Sequence, residues 1–204
     1  MGWFDKFFNK VKTTTDYYEN GQKMSEIHWK NVNEYGRWVC WYENGHKESE
    51  TNYENGKKEG FEIKWYENGM KEVEGNFKDG RLDGLLTIWY ESGGKKSEWN
   101  YKDGKKEGFQ TEWYENGQRE FQQNYEGGKE EGFISGWYEN GQKEWEGNLK
   151  DSDFDGVVTG WYENGRKMGE GNYKDGKNDG LWTYWDEEGN VTKTRTYKDG
   201  KLVE

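Results

Sequence analysis

The side chains able to do chemistry are few. Cys40 is the single cysteine, and His28 and His46 are the 2 histidines. Cys40 and His28 fall on neighbouring segments that can meet across adjacent strands. Nucleophilic catalysis, however, needs a third group to orient the base and a pocket to exclude water, and the sequence supplies neither. One thiol and two imidazoles are too few for a four-ligand zinc set, and one cysteine forms no intramolecular disulfide. Carboxylates abound, with 41 Asp+Glu, yet on a solvated sheet nothing desolvates one member of a pair and splits their pKa values. The loop Asp151-Ser152-Asp153-Phe154-Asp155 is acidic enough to suggest Ca²⁺. It lacks the spacing and terminal Glu of a calcium loop. No phosphate-binding glycine loop precedes a helix. The sequence therefore predicts no enzyme, no cofactor and no metal.

Composition narrows the partners. A net charge of −11 repels phosphate backbones and anionic lipid, which argues against nucleic acid and against a membrane surface. No apolar run approaches the roughly 18 residues that a membrane span needs. The first residues lack the small-residue cleavage site of a secretory signal, so a cytoplasmic location is expected. High net charge with few aliphatic residues usually reads as disorder. Here 13 Trp, 15 Tyr and 9 Phe stand beside 30 Gly, with no Pro and no Ala. That is the composition of an ordered, glycine-punctuated β protein.

The elements that position these side chains repeat. An aromatic-aromatic-Glu step begins at Tyr17, Trp41, Trp65, Trp89, Trp113, Trp137 and Trp161, and Trp185 keeps the same 24-residue phase. Residues 17–204 thus read as eight β-hairpin repeats, the last one shortened. In the unit that starts at Trp65, Gly69 closes the first turn (Glu67-Asn68-Gly69) and Gly80 the second (Lys78-Asp79-Gly80), and Asn-Gly and Asp-Gly are both strong hairpin signals. Residues 1–16 fall outside the phase. Trp3, Phe4, Phe7, Phe8 and Val11 recur at helical spacing and predict a short amphipathic helix that caps the aromatic seam.

Alternation then predicts the faces. Counted from Trp65, even positions place Trp65, Val73, Gly75, Phe77, Leu85 and Thr87 together, with Ile63 opposite Val73 and Phe61 laid over Gly75. Three stripes are expected to interlock on that face: Trp41 to Trp185, Trp29 to Tyr197, and Phe61 to Leu181. Odd positions leave a second face lined by Tyr42, Tyr66, Tyr90, Tyr114 and Tyr138, with Glu50, Glu74 and Glu98 and with Asn76 and Asn100. Leu86 and Ile88 are expected there as an exposed apolar pair of the kind that marks a contact patch.

The segment from Gly60 through Trp65, Asn68-Gly69 and Asp79-Gly80 to Gly84 resembles the MORN repeat, and more closely the bacterial variant found in YwqK-type antitoxin proteins. The resemblance covers Tyr17 to about Leu202. It implies an elongated, solenoid-like meander of β-hairpins and an interaction role without catalysis. Val32, Ser92 and Ser152 depart from the repeat's own pattern. The fold expected is all-β, with a non-catalytic protein-binding function. The acidic Tyr/Glu/Asn strip would dock a basic partner, such as a toxin or effector that the protein neutralises. Two alternatives are a cell-surface glycan-binding repeat module and a structural scaffold that forms a homodimer.

Overall fold

The computed structural model describes residues 11–30 and 33–203. Among them every regular element is a β-strand, and all pairings are antiparallel between strands close in sequence. The chain divides into two compact units, Met1–Lys105 and Lys106–Glu204. The first holds β1 (Val11–Tyr17), β2 (Lys23–Lys30), β3 (Asn33–Glu34), β4 (Gly36–Trp41), β5 (Lys47–Glu54), β6 (Lys57–Trp65), β7 (Lys71–Lys78), β8 (Arg81–Trp89) and β9 (Lys95–Lys102). The second holds all but the first residue of β10 (Lys105–Trp113), then β11 (Arg119–Glu126), β12 (Lys129–Trp137), β13 (Lys143–Lys150), β14 (Asp153–Phe154), β15 (Gly156–Trp161), β16 (Lys167–Lys174), β17 (Lys177–Asn178), β18 (Gly180–Trp185), β19 (Val191–Lys198) and β20 (Lys201–Leu202). Short strands such as β3 and β4 are two halves of one, interrupted at a single residue and both paired with β2.

Val11 opens strand β1, which pairs with β2 from Val11↔Lys30 onward, so the predicted helix does not include it. The rest of that predicted helix lies outside the described residues.

Two turns alternate, and both follow local chemistry. At the first, the Tyr66 amide donates to the Met70 carbonyl and the Gly69 amide to the Tyr66 carbonyl, which encloses Glu67-Asn68-Gly69 as a three-residue loop. The Asn68 side chain accepts from the Met70 amide at 2.8 Å and donates to the Glu91 carbonyl of the following repeat at 3.0 Å. At the second turn Asp79 (φ 51) and Gly80 (φ 80) are both left-handed, a two-residue turn whose twist matches the strands it joins.

The predicted register fails one residue beyond the first turn. Trp65 faces Lys71 as the loop requires, but the pairing then shifts, and Lys64↔Val73, Glu62↔Gly75 and Gly60↔Phe77 follow. The shift is a β-bulge with one extra residue on β7. It recurs at Trp41/Lys47, Trp89/Lys95, Trp137/Lys143 and Trp161/Lys167. A slip of one residue moves every later side chain of the strand to the other face. Trp65, Ile63 and Phe61 therefore share a face with Glu74 and Asn76, whereas Val73, Gly75 and Phe77 join Leu86 and Ile88 on the opposite one.

Three sequence expectations are corrected as a result. The stripe from Trp29 to Tyr197 lies on the face opposite the Trp65 stripe. Phe61 sits across from Asn76 and is 59% exposed, not packed on Gly75. Leu86 and Ile88 are half-buried, and a Cβ placed on Gly75 would meet Leu86 Cδ1 at 2.8 Å. The same fit recurs in the second unit, where Val158 and Phe154 close over Gly147 and Trp182 covers Gly171. Each glycine leaves the volume that the next strand's large side chain fills.

Candidate functional site

Three columns of side chains cross the strands on the face that carries the Trp65 stripe. In the first unit the column nearest the turns is tryptophan capped by lysine, with Lys47 Nζ 5.4 Å from the Trp65 ring centre and Lys71 Nζ 5.6 Å from that of Trp89. The same ammonium groups turn to the next column. Lys47 bonds Glu50 at 2.7 Å, Lys71 bonds Glu74 at 2.5 Å, and Lys95 bonds Glu98 at 2.5 Å.

That second column runs Glu26, Val39, Glu50, Ile63, Glu74, Thr87, Glu98 across successive strands. Glutamates thus alternate with small or branched residues. Like charges sit two strands apart, roughly 10 Å, instead of being directly opposed. Burial raises the Glu50 carboxyl, but hydrogen bonds from Lys47 and Arg37 outweigh it and hold the group below the usual carboxylate range. The hydrogen bond from Lys23 does the same for Glu26.

The third column is apolar and open to solvent. Phe61 and Leu85, 59% and 46% exposed, lie opposite Asn76 and Asn100. The second unit repeats the arrangement with Phe109, Val157 and Leu181 at 52%, 55% and 60%, facing Asn124, Asn172 and Thr196. There Lys143 and Lys167 bond Glu146 and Glu170. Asn76 is partly committed, since its amide donates to the Asp83 carbonyl at 2.9 Å.

The tyrosine row sits at the turn edge of the strands. Tyr42 donates its hydroxyl to the Trp65 carbonyl, Tyr66 to Trp89, Tyr114 to Trp137 and Tyr138 to Trp161, each at 2.7 Å. Tyr90 carries Lys96 over its ring at 5.5 Å. Burial raises the hydroxyl pKa of Tyr42, and Glu48, Glu72 and Glu67 add to the rise. For Tyr66 burial is joined by Glu72 and Glu91. No ion pair reaches Glu48, Glu67 or Glu72 among the described residues. The acidic strip expected from sequence therefore separates into two parts. Glu50, Glu74 and Glu98 are neutralised on the tryptophan face, and an uncompensated set stands beside the tyrosines.

Of the expected site residues, Glu50, Glu74, Glu98, Asn76 and Asn100 share the tryptophan face. Tyr42, Tyr66, Tyr90, Tyr114 and Tyr138 border it at the turns, and Leu86 and Ile88 occupy the other face. Sequence reasoning missed the exposure of the Phe61–Leu85 column because it placed that column inside. One signal was available. Leu86 stands opposite Gly75 across the second turn, as Val158 covers Gly147 and Trp182 covers Gly171, and such a pair shares a face only if strict alternation by residue number fails between the strands.

Hairpins stitched to the following repeat by tyrosine and asparagine side chains, with both faces of the sheet patterned by the repeat, define a β-hairpin repeat protein. The chain belongs to the MORN repeat variant family, whose model matches residues 10–31, 34–55, 58–79, 82–103, 106–126, 154–175 and 178–199. MORN repeats are generally binding modules for proteins or membranes. No curated protein matches the chain.

Proposed function

We propose that this chain is a non-catalytic protein-binding module of the bacterial cytoplasm, of the YwqK-type antitoxin or immunity kind. On this reading it neutralises a basic toxin or effector by docking it on the tryptophan face and its tyrosine edge. The observation that carries the reading is an exposed apolar column in each unit: Phe61 and Leu85 beside Asn76 and Asn100 in one, and Phe109, Val157 and Leu181 beside Asn124, Asn172 and Thr196 in the other. Apolar side chains rimmed by amides and charges are the composition of a protein interface. The basic character of the partner follows from the net charge of −11 and from the uncompensated Glu48, Glu67 and Glu72, which would steer a cationic surface.

The test is capture of a basic protein from a bacterial lysate, followed by co-expression. Phe61→Ser with Leu85→Ser is expected to abolish capture. Glu67→Lys with Glu72→Lys should slow association and flatten its salt dependence, more than reversal of the lysine-paired Glu50 and Glu74. The captured protein should arrest growth when expressed alone and lose that effect beside this chain. Capture indifferent to both pairs of changes would remove this face from the function.

One observation favours the glycan-binding alternative. On the opposite face a hollow of about 220 Å³ is lined by Trp38, Tyr53, Ser49, Thr51 and Glu62. The Trp38 and Tyr53 rings lie 5.2 Å apart, and the buried Trp38 indole N–H has no hydrogen-bond partner. Aromatic faces beside polar groups suit a sugar ring. Retention on immobilised polysaccharide, lost in Trp38→Ala, would support that alternative over protein capture.

A further inference from the structure

One place in the second unit breaks the repeat. On the face opposite the tryptophan stripe, Phe121, Gly136 and Trp145 stand side by side on β11, β12 and β13. The strand position that holds Phe121 and Trp145 carries Ser25, Ser49, Val73, Ser97 and Gly169 in other repeats. The long stretch 127–153, which contains Gly136 and Trp145, is also left unmatched between two stretches that match the family.

The geometry follows from one missing side chain. A Cβ on Gly136 would meet Trp145 Nε1 at 2.5 Å, so the indole lies directly over the bare backbone. The Phe121 and Trp145 ring centres are 6.1 Å apart with planes inclined at 53°, a tilted pair of rings. Beside it, Glu112, Tyr114, Glu120 and Glu144 line an open hollow of about 400 Å³. Glu120 and Glu144 stand on its wall, and burial together with these carboxylates raises the Tyr114 hydroxyl pKa.

The wall chemistry selects the occupant. Among the described residues no group of three or more His, Cys, Asp or Glu could hold a metal ion, so these carboxylates are too spread for a small cation. Two ring faces with spaced carboxylates suit a broad, flat, weakly hydrated cation that stacks and hydrogen-bonds at once. We infer that this cavity is a subsite for an arginine side chain of the basic protein partner. The inference rests on the proposed docking function and carries it round the tyrosine edge, where Tyr114 lines the cavity, onto the opposite face: the guanidinium stacks on the solvent side of the Phe121–Trp145 pair, with its N–H groups directed to Glu120 and Glu144.

The test uses the full chain labelled with ¹⁵N and follows the Trp145 indole N–H resonance. N-acetyl-arginine amide is the probe, and N-acetyl-citrulline amide, of the same shape without the charge, is the control. A saturable shift is expected with arginine and none with citrulline. Glu120→Gln with Glu144→Gln should weaken the apparent affinity about tenfold, as loss of charge-assisted hydrogen bonds does. Gly136→Ala, which moves the indole without touching a carboxylate, should also remove the shift. Equal response to citrulline, no response to arginine, or an unchanged affinity in the double variant overturns the inference. A stronger response to tetramethylammonium than to arginine also overturns it, and assigns the cavity to a small organic cation. Since the probe needs no partner, failure here leaves the docking face to its own capture test. Capture indifferent to the Phe61/Leu85 and Glu67/Glu72 changes, with an intact arginine response, would instead discard that face alone.

Discussion

The hydroxyl of Tyr66 donates to the carbonyl oxygen of Trp89, one repeat further along the chain, at 2.7 Å. Together with Asn68 reaching the Glu91 carbonyl, it ties the turn edge of one hairpin to the next. A single hairpin is marginal in water. These side-chain ties recur with the repeat, so each hairpin draws its stability from its neighbours.

Tyr66→Phe removes the donor and leaves the partly buried Trp89 carbonyl without it. The expected cost is about 1 kcal/mol in the first unit, read as a lower urea midpoint with unchanged slope. No change in midpoint would show that the bond does not contribute.

The same hydroxyls set an alkaline limit. Burial and neighbouring glutamates raise the pKa of Tyr18, Tyr42, Tyr66, Tyr114 and Tyr138 in the folded chain. The stability they add is full below the unfolded value of about 10 and falls as pH rises from there through the folded values. At the acid end the sign reverses. The lowered Glu26, Glu50 and Glu170 contribute above their unfolded value of about 4.3 and lose that contribution as pH falls below it. Melting temperature measured from pH 3 to pH 12 should therefore fall at both ends. A flat alkaline limb would contradict the tyrosine assignment.

Ser152 occupies the turn position that Gly80, Gly104 and Gly176 hold elsewhere, and its φ is 72. Ser152→Gly relieves the left-handed strain while the backbone bond from residue 152 to the Glu130 carbonyl stays. It should stabilise the second unit by about 1 kcal/mol. Calorimetry reads this directly as a higher melting temperature.

Gly171→Ala introduces a methyl where Trp182 Cδ2 lies 2.0 Å from the new Cβ. Overpacking of that kind costs about 1–3 kcal/mol. The cost should shrink in a Trp182→Leu background. Equal costs in both backgrounds would show that the two residues are not coupled.

The amino-acid sequence by itself determined the hairpin, its 24-residue repeat and both turns, because Asn-Gly and Asp-Gly act locally through glycine's freedom at positive φ. It also placed Trp65 and Phe61 on a common face, since they lie on one uninterrupted strand. Only the tertiary structure decided which side the next strand presents. The extra residue after Trp65 is an irregularity of the β6–β7 ladder, and no property of Lys71 or Glu72 alone announces it. That one residue exchanges the faces of Val73 and Glu74, which is why the glutamates stand among the tryptophans and the Phe61 column is left open to water.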